Sequence, residues 1–164
     1  MADAVDVETP ETALEHCAAE DLLRVVAATG GADAGDVGGL DVGVEGVAQA
    51  SMQAAVKAGA PVELPYVDVF CDGTAVKRPG DLTYEICKDS LDDILTVTNE
   101  EVCAAIQQLW ESSRIIPEPS GAMGLSGLIQ FAENNPETIR GKKLLAIVCG
   151  ANMDFGKLAL ISNQ

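Results

Sequence analysis

Three short stretches concentrate the side chains and backbone features that could do chemistry: Asp72-Gly73, Glu118 with Pro119 and Ser120 behind it, and Cys149 with Gly150 after it. Each also has an ordinary structural reading. Asp72-Gly73 alone is a turn signature. Glu118 ahead of a proline reads as a charge at a helix N-terminus. Cys149 reads as a small buried group. The remaining cysteines (Cys17, Cys71, Cys87, Cys103) are scattered, no pair has CxxC spacing, and His16 is the only histidine. A Cys/His metal site is therefore not expected. The lysines available for covalent work are Lys57, Lys77, Lys88, Lys142, Lys143 and Lys157.

A net charge of −16 on 164 residues argues against nucleic acid and anionic membranes as partners, because both repel an acidic surface. Hydrophobic residues make up 48% of the chain, enough for one domain with a core. No run reaches the roughly 20 apolar residues of a membrane helix. The acidic start from Met1 to Pro10 resembles neither a secretory signal nor a transit peptide. The expectation is a soluble chain in a reducing compartment, cytoplasmic or within a plastid or mitochondrion, or a chain missing its beginning.

The elements that must position these residues divide at a glycine-rich break. Residues 11–28 read as one helix, with Leu14, Ala18, Leu22, Val25 and Val26 near one face. Thr29–Gly39 then interrupts the pattern, so 1–39 is an atypical acidic helix plus linker and 40–164 is the main domain. Leu40–Glu45 predicts a strand, and 49–58 a helix ending at a left-handed Gly59. Residues 61–80 are irregular, and a helix is expected around Tyr84–Lys88. Ile94–Thr98 predicts a strand, followed by a helix opened by the capping box Thr98-Asn-Glu-Glu101 and running to about Ser112. Ser120–Glu133 predicts a helix of small residues. Lys143–Cys149 predicts a strand buried on both faces, and a last short helix follows Asp154. This alternation implies an α/β fold with a mostly parallel sheet flanked by helices.

Taken in order, Asp72-Gly-Thr-Ala-Val-Lys-Arg78, Leu91-Asp-Asp-Ile-Leu-Thr-Val-Thr-Asn-Glu-Glu-Val102, Ile116-Pro-Glu-Pro-Ser-Gly-Ala122 and Cys149-Gly-Ala-Asn-Met-Asp-Phe155 resemble the C-terminal part of the biosynthetic threonine dehydratases. These are lyases of the fold-type II, pyridoxal-phosphate (PLP) dependent, tryptophan synthase β-like family. The resemblance covers about Leu40 to Ser162. It implies part of that family's large domain, with an extra N-terminal helix. It also implies a parent reaction that converts L-threonine to 2-oxobutanoate and ammonia in isoleucine biosynthesis.

The same resemblance implies a cofactor site beyond the C-terminal ends of the strands. Cys149, with Gly150 beside it, stands where the family sets a Ser or Cys against the pyridine nitrogen. A neutral thiol there makes a weaker electron sink than a carboxylate partner would. Gly73 matches the glycine whose backbone lies beside the ring, and Glu118 a carboxylate at the rim. In serine racemase-like members a cation site begins at the residue matching Glu45. Its further ligands there would be Gln49, through its carbonyl, and Ser51, where some relatives carry a carboxylate.

Two family requirements have no counterpart in the sequence. The lysine that carries the cofactor, in a Ser-x-Lys-x-Arg-Gly type segment, is absent, and Lys77 falls at a later Ala-Val-Lys-Arg segment instead. The glycine-rich stretch Gly30–Gly39 contains Asp33 and Asp36, whose charges oppose a phosphate. The expected function is therefore a piece of a threonine dehydratase, inactive alone. Alternatives are a non-catalytic module docking on an intact dehydratase subunit, or a piece of a serine racemase or dehydratase. An amino-acid substrate belongs to the parent enzyme. Homo-oligomers and association with an intact subunit are both open.

Overall fold

The computed structural model describes residues 22–27 and 40–162. Four strands form one parallel sheet: β1 (Leu22–Ala27), β2 (Leu40–Gly46), β3 (Asp93–Val97) and β4 (Lys143–Ala146), in the spatial order β3-β2-β1-β4. The helices are α1 (Ser51–Ala58), α2 (Asp81–Ser90), α3 (Asn99–Ser113), α4 (Pro119–Asn134) and α5 (Lys157–Ile161), with a 3-10 turn at Asp72–Thr74. The α/β class and the parallel sheet agree with the sequence reading.

Alternation along β2 explains the layers. Val42 and Val44 face one side and are fully buried with Val97, Val102, Ile106, Ala122, Met123 and Phe131, from β3, α3 and α4. Gly43 and Glu45 face the other side. There α1 and α2 supply Met52, Ala55 and Tyr84, which pack with Ile94 into a smaller cluster. Both faces of β2 are covered, and the strand is buried from Asp41 to Gly46, with the carboxylates of Asp41 and Glu45 on the Gly43 side. On the first side α4 approaches closely because Gly127 has no side chain, and a Cβ there would collide with Val44.

Local signals set the helix ends. Thr98 and Glu101 make both bonds of the capping box: Glu101 N donates to Thr98 Oγ1 (3.2 Å) and Thr98 N to Glu101 Oε2 (2.6 Å). Gly59 ends α1 in the left-handed conformation (φ 74°). Pro119 starts α4, where its missing N–H costs nothing.

Two expectations need correction. The proposed helix over 11–28 is a strand across Leu22–Ala27; the rest of that segment, and the Thr29–Gly39 break, lie outside the described residues. The reason is tertiary. β1 fills the slot between β2 and β4, pairing Val25 with both Val42 and Ala146, and its ladder bonds outweigh a helical spacing that the β-branched valines support only weakly. The strand neighbouring both Leu40 and Lys143 thus comes from this chain. The second correction concerns Lys143–Cys149. Only Lys143–Ala146 is strand, it lies at the sheet edge among the described residues, and Ile147, Val148 and Cys149 are exposed. With one neighbouring strand whose pairing ends at Val25–Ala146, the last apolar residues leave the ladder. No helix among the described residues is long and apolar enough to cross a membrane.

Candidate functional site

Beyond the end of β4, the chain at Cys149–Gly150 crosses the N-terminus of α4. Cys149 N donates to Gly121 O (3.3 Å) and Glu118 N to Gly150 O (3.0 Å). The crossing brings backbone against backbone, for a Cβ on Gly121 would overlap the Cys149 carbonyl. Gly150 turns through φ +73°, and a Cβ on it would lie 2.5 Å from Glu118 Oε1. The other carboxylate oxygen, Oε2, accepts from Asn152 N (3.2 Å). Glu118 is the N-cap residue of α4, yet its side chain makes no capping bond and turns to this crossing instead.

The 3-10 turn closes the other side. A Cβ on Gly73 would stand 2.9 Å from Ser120 Oγ and 3.2 Å from Glu118 Oε1. A side chain here would make the Ser120 and Glu118 side chains give way. Cys149, Gly73, Glu118 and Gly150, scattered in sequence, are thus gathered at one helix N-terminus. Ser120 and Gly121 belong to the same cluster and were not singled out from sequence. The hydroxyl of Ser120 is only 4% exposed as a residue and has no hydrogen-bond partner. At the rim, Lys157 pairs with Asp72 (3.2 Å), next to Gly73.

Glu45, Gln49 and Ser51 sit one step away, at the N-terminus of α1. Glu45 is buried, and its oxygens accept from Met52 N (2.9 Å) and Gln53 N (2.8 Å). Burial pushes its carboxyl above the ordinary value of 4.5, while the amides of Gln53, Met52 and Ser51 pull it partly back. The Gln49 carbonyl accepts from Ser51 N (2.9 Å). The Gln49 side chain donates to Asp68 O (3.1 Å) and accepts from Thr74 Oγ1 (2.6 Å), tying this corner to the Gly73 turn. In these positions Glu45 and Gln49 serve the helix start and the loop. Among the described residues no three His, Cys, Asp or Glu side chains gather as a metal site.

The other described cysteines behave as apolar groups. Cys71 and Cys103 are buried and Cys87 half-buried. Burial, with the Asp68 charge second, pushes the Cys71 thiol up to about 12. Burial also raises Cys87 and Cys103. Cys149 alone among the described cysteines is exposed.

Residues 40–150 match the family model described as pyridoxal-phosphate dependent enzyme. The chain is 43% identical over 123 residues to the biosynthetic L-threonine dehydratase of Haemophilus influenzae, covering 75% of this chain and 24% of that protein. It superposes on the processed form of threonine deaminase isoform 2 from Solanum lycopersicum with a TM-score of 0.80 and 32% identity, over 87% of this chain and 43% of that one. Maize serine racemase shares the fold, with a TM-score of 0.72 and 24% identity over 87% of this chain and 48% of that one. The chain spans about a quarter of the length of the curated relatives it matches. With residues 40–150 matched by that family's model, this chain belongs to the pyridoxal-phosphate dependent enzyme family.

Proposed function

We propose that this chain forms the ring-side part of a PLP site in a threonine dehydratase, and that it does not turn over threonine by itself. The observation that carries the reading is the convergence of Gly73, Glu118, Ser120 and Cys149-Gly150 at the N-terminus of α4, within the family match.

The residues present fit the pyridine end of the cofactor. Gly73, Gly121 and Gly150, the backbone of Cys149 and the Glu118 carboxylate are gathered in one place, at positions where an added Cβ would meet neighbouring atoms. PLP, when bound, supplies an electron sink for the substrate's α-carbon. Cys149 would stand at the ring nitrogen, as the family resemblance implies. Glu118, held by the Asn152 amide, would orient at the rim beside the Gly73 turn. The residues needed at the opposite end are not matched. Lys57 donates to Gln53, Lys88 pairs with Glu85 and Lys157 with Asp72, and no lysine stands in the family's cofactor-holding segment.

The test is turnover. Purified chain with PLP and L-threonine is expected to release no 2-oxobutanoate above a protein-free control. Sustained release, abolished by substituting one lysine, would contradict the reading.

A second reading, docking on an intact dehydratase subunit, is favoured by one feature. Ile147, Val148 and Phe155 (83% exposed) follow β4 in the chain and leave apolar side chains uncovered, and β4 is an edge strand among the described residues. Size-exclusion of the chain with the full-length Haemophilus influenzae enzyme is expected to show co-elution under that reading. Independent elution at micromolar concentrations sinks it.

A further inference from the structure

We propose that β1 stands in for a strand of the family fold, supplied by a segment outside the family match, and that it positions the Cys149–Gly150 side of the cluster at the start of α4. Calling that cluster the ring side of a cofactor site rests on the functional reading above.

The family match and β1 do not overlap. The match begins at Leu40, the first residue of β2, whereas β1 ends at Ala27. The superposition on threonine deaminase isoform 2 from Solanum lycopersicum nevertheless takes in 87% of this chain. Residues 40–164 are only 125 of its 164, about three quarters, so the superposed share reaches ahead of Leu40, where β1 lies. A position of the family fold is thus filled by residues that the family model does not match. That position is an inner one. β1 pairs in parallel with β2 on one side, Leu23–Ala27 against Leu40–Val44, and with β4 on the other, Leu22–Val25 against Lys143–Ala146. Without it both neighbours would present a row of unpaired backbone groups. A parallel ladder is made by backbone groups, and the β-branched Val25 and Val26 suit its extended conformation, so an unrelated sequence can serve.

The consequence for the site comes through β4, whose one sheet neighbour among the described residues is β1. Three residues beyond the end of β4 the chain reaches Cys149, whose N–H donates to Gly121 O (3.3 Å), and then Gly150, whose carbonyl accepts from Glu118 N (3.0 Å). α4, which supplies Glu118's neighbours Ser120 and Gly121, lies against both β1 and β4. The borrowed strand therefore sets where β4 ends relative to the start of α4. β3 lies on the far side of β2 and makes no pair with β1.

Hydrogen–deuterium exchange of the whole chain, followed by peptide mass spectrometry, tests this without any ligand. In wild type, residues 22–27 are expected to exchange at least about 100-fold more slowly than an unstructured peptide of the same sequence. Val25→Pro removes an N–H from a strand paired on both sides. It is expected to speed exchange at least about tenfold across residues 143–150, the Cys149 amide included. Residues 93–97 should stay within about twofold of wild type, because among the described residues β3 pairs with β2 alone. If Val25→Pro does not fold, Val25→Gly keeps every ladder bond while loosening the strand, and about threefold faster exchange is expected over the same residues. The proposal is overturned if residues 22–27 exchange as fast as the unstructured peptide, or if neither variant speeds exchange in 143–150. It is equally overturned if the change stops at Ala146, or if β3 changes as much as β4. No readout involves PLP or threonine, so failure here and failure of the functional reading are separable.

Discussion

Glu118 and Gly150 hold one another by backbone and side chain together. The Glu118 amide donates to the Gly150 carbonyl at 3.0 Å, and the Glu118 carboxylate occupies the space where a Gly150 Cβ would project. This pair fixes the exposed Cys149 segment to the start of α4, and with it the geometry of the whole cluster.

Alanine at Gly150 must adopt φ +73° and displace a carboxylate, which a flexible side chain can partly absorb. The expected loss is about 1–3 kcal/mol. Alanine at Gly121 meets the Cys149 carbonyl, a backbone atom that cannot swing aside. Urea denaturation should therefore rank Gly121→Ala as the more destabilising of the two. The reverse order would show that the crossing is looser than described.

Glu45 makes stability depend on pH in a definite sense. Its folded value is raised by burial above the ordinary 4.5, so the protonated form is preferred in the folded state. The stability this contributes is fully present below 4.5 and is lost as pH rises through the folded value. Glu45→Gln cannot titrate. Its stability relative to wild type should improve between about pH 4 and about pH 7, measured by urea unfolding at several pH values. A constant difference across that range would show that burial does not shift this group.

Thiol reactivity should separate the cysteines by burial. Cys149 is exposed, whereas Cys71 is buried with its thiol pushed up to about 12. Under native conditions iodoacetamide is expected to label Cys149 well before Cys71 and Cys103, followed site by site by peptide mass spectrometry. In urea the difference should vanish. Equal native rates would contradict the packing of both core cysteines.

The capping box at Thr98 is a local device with a local cost. Thr98→Ala removes the acceptor for Glu101 N and should destabilise the chain by about 1 kcal/mol. Urea denaturation measures it, and unchanged stability would show that the box contributes nothing to the start of α3.

Legibility in the sequence followed the range of the interactions. The Thr98 box, the Gly59 stop and Pro119 at the start of α4 were readable because each is decided within a few residues. Leu22–Ala27 was misread because apolar spacing in a short run fits helix and strand alike, and only the ladders to β2 and β4 decide it. The Lys143–Cys149 run looks like a central strand, yet its place at the edge depends on sheet order, which composition does not encode. Gly73, Glu118, Cys149 and Gly150 were singled out through motif order. Ser120 and Gly121 were not, because an unpaired hydroxyl and a backbone crossing exist only once α4 and the Cys149 segment have met.

The proposed function gives this chain the ring side of a PLP site and gives none of its six lysines the cofactor-holding role. Its most direct test is borohydride reduction of the chain mixed with PLP, followed by peptide mapping of the six lysines. The expected result is no adduct above the sparse, distributed labelling of exposed lysines. Stoichiometric fixation on a single lysine, accompanied by conversion of threonine, would contradict the account.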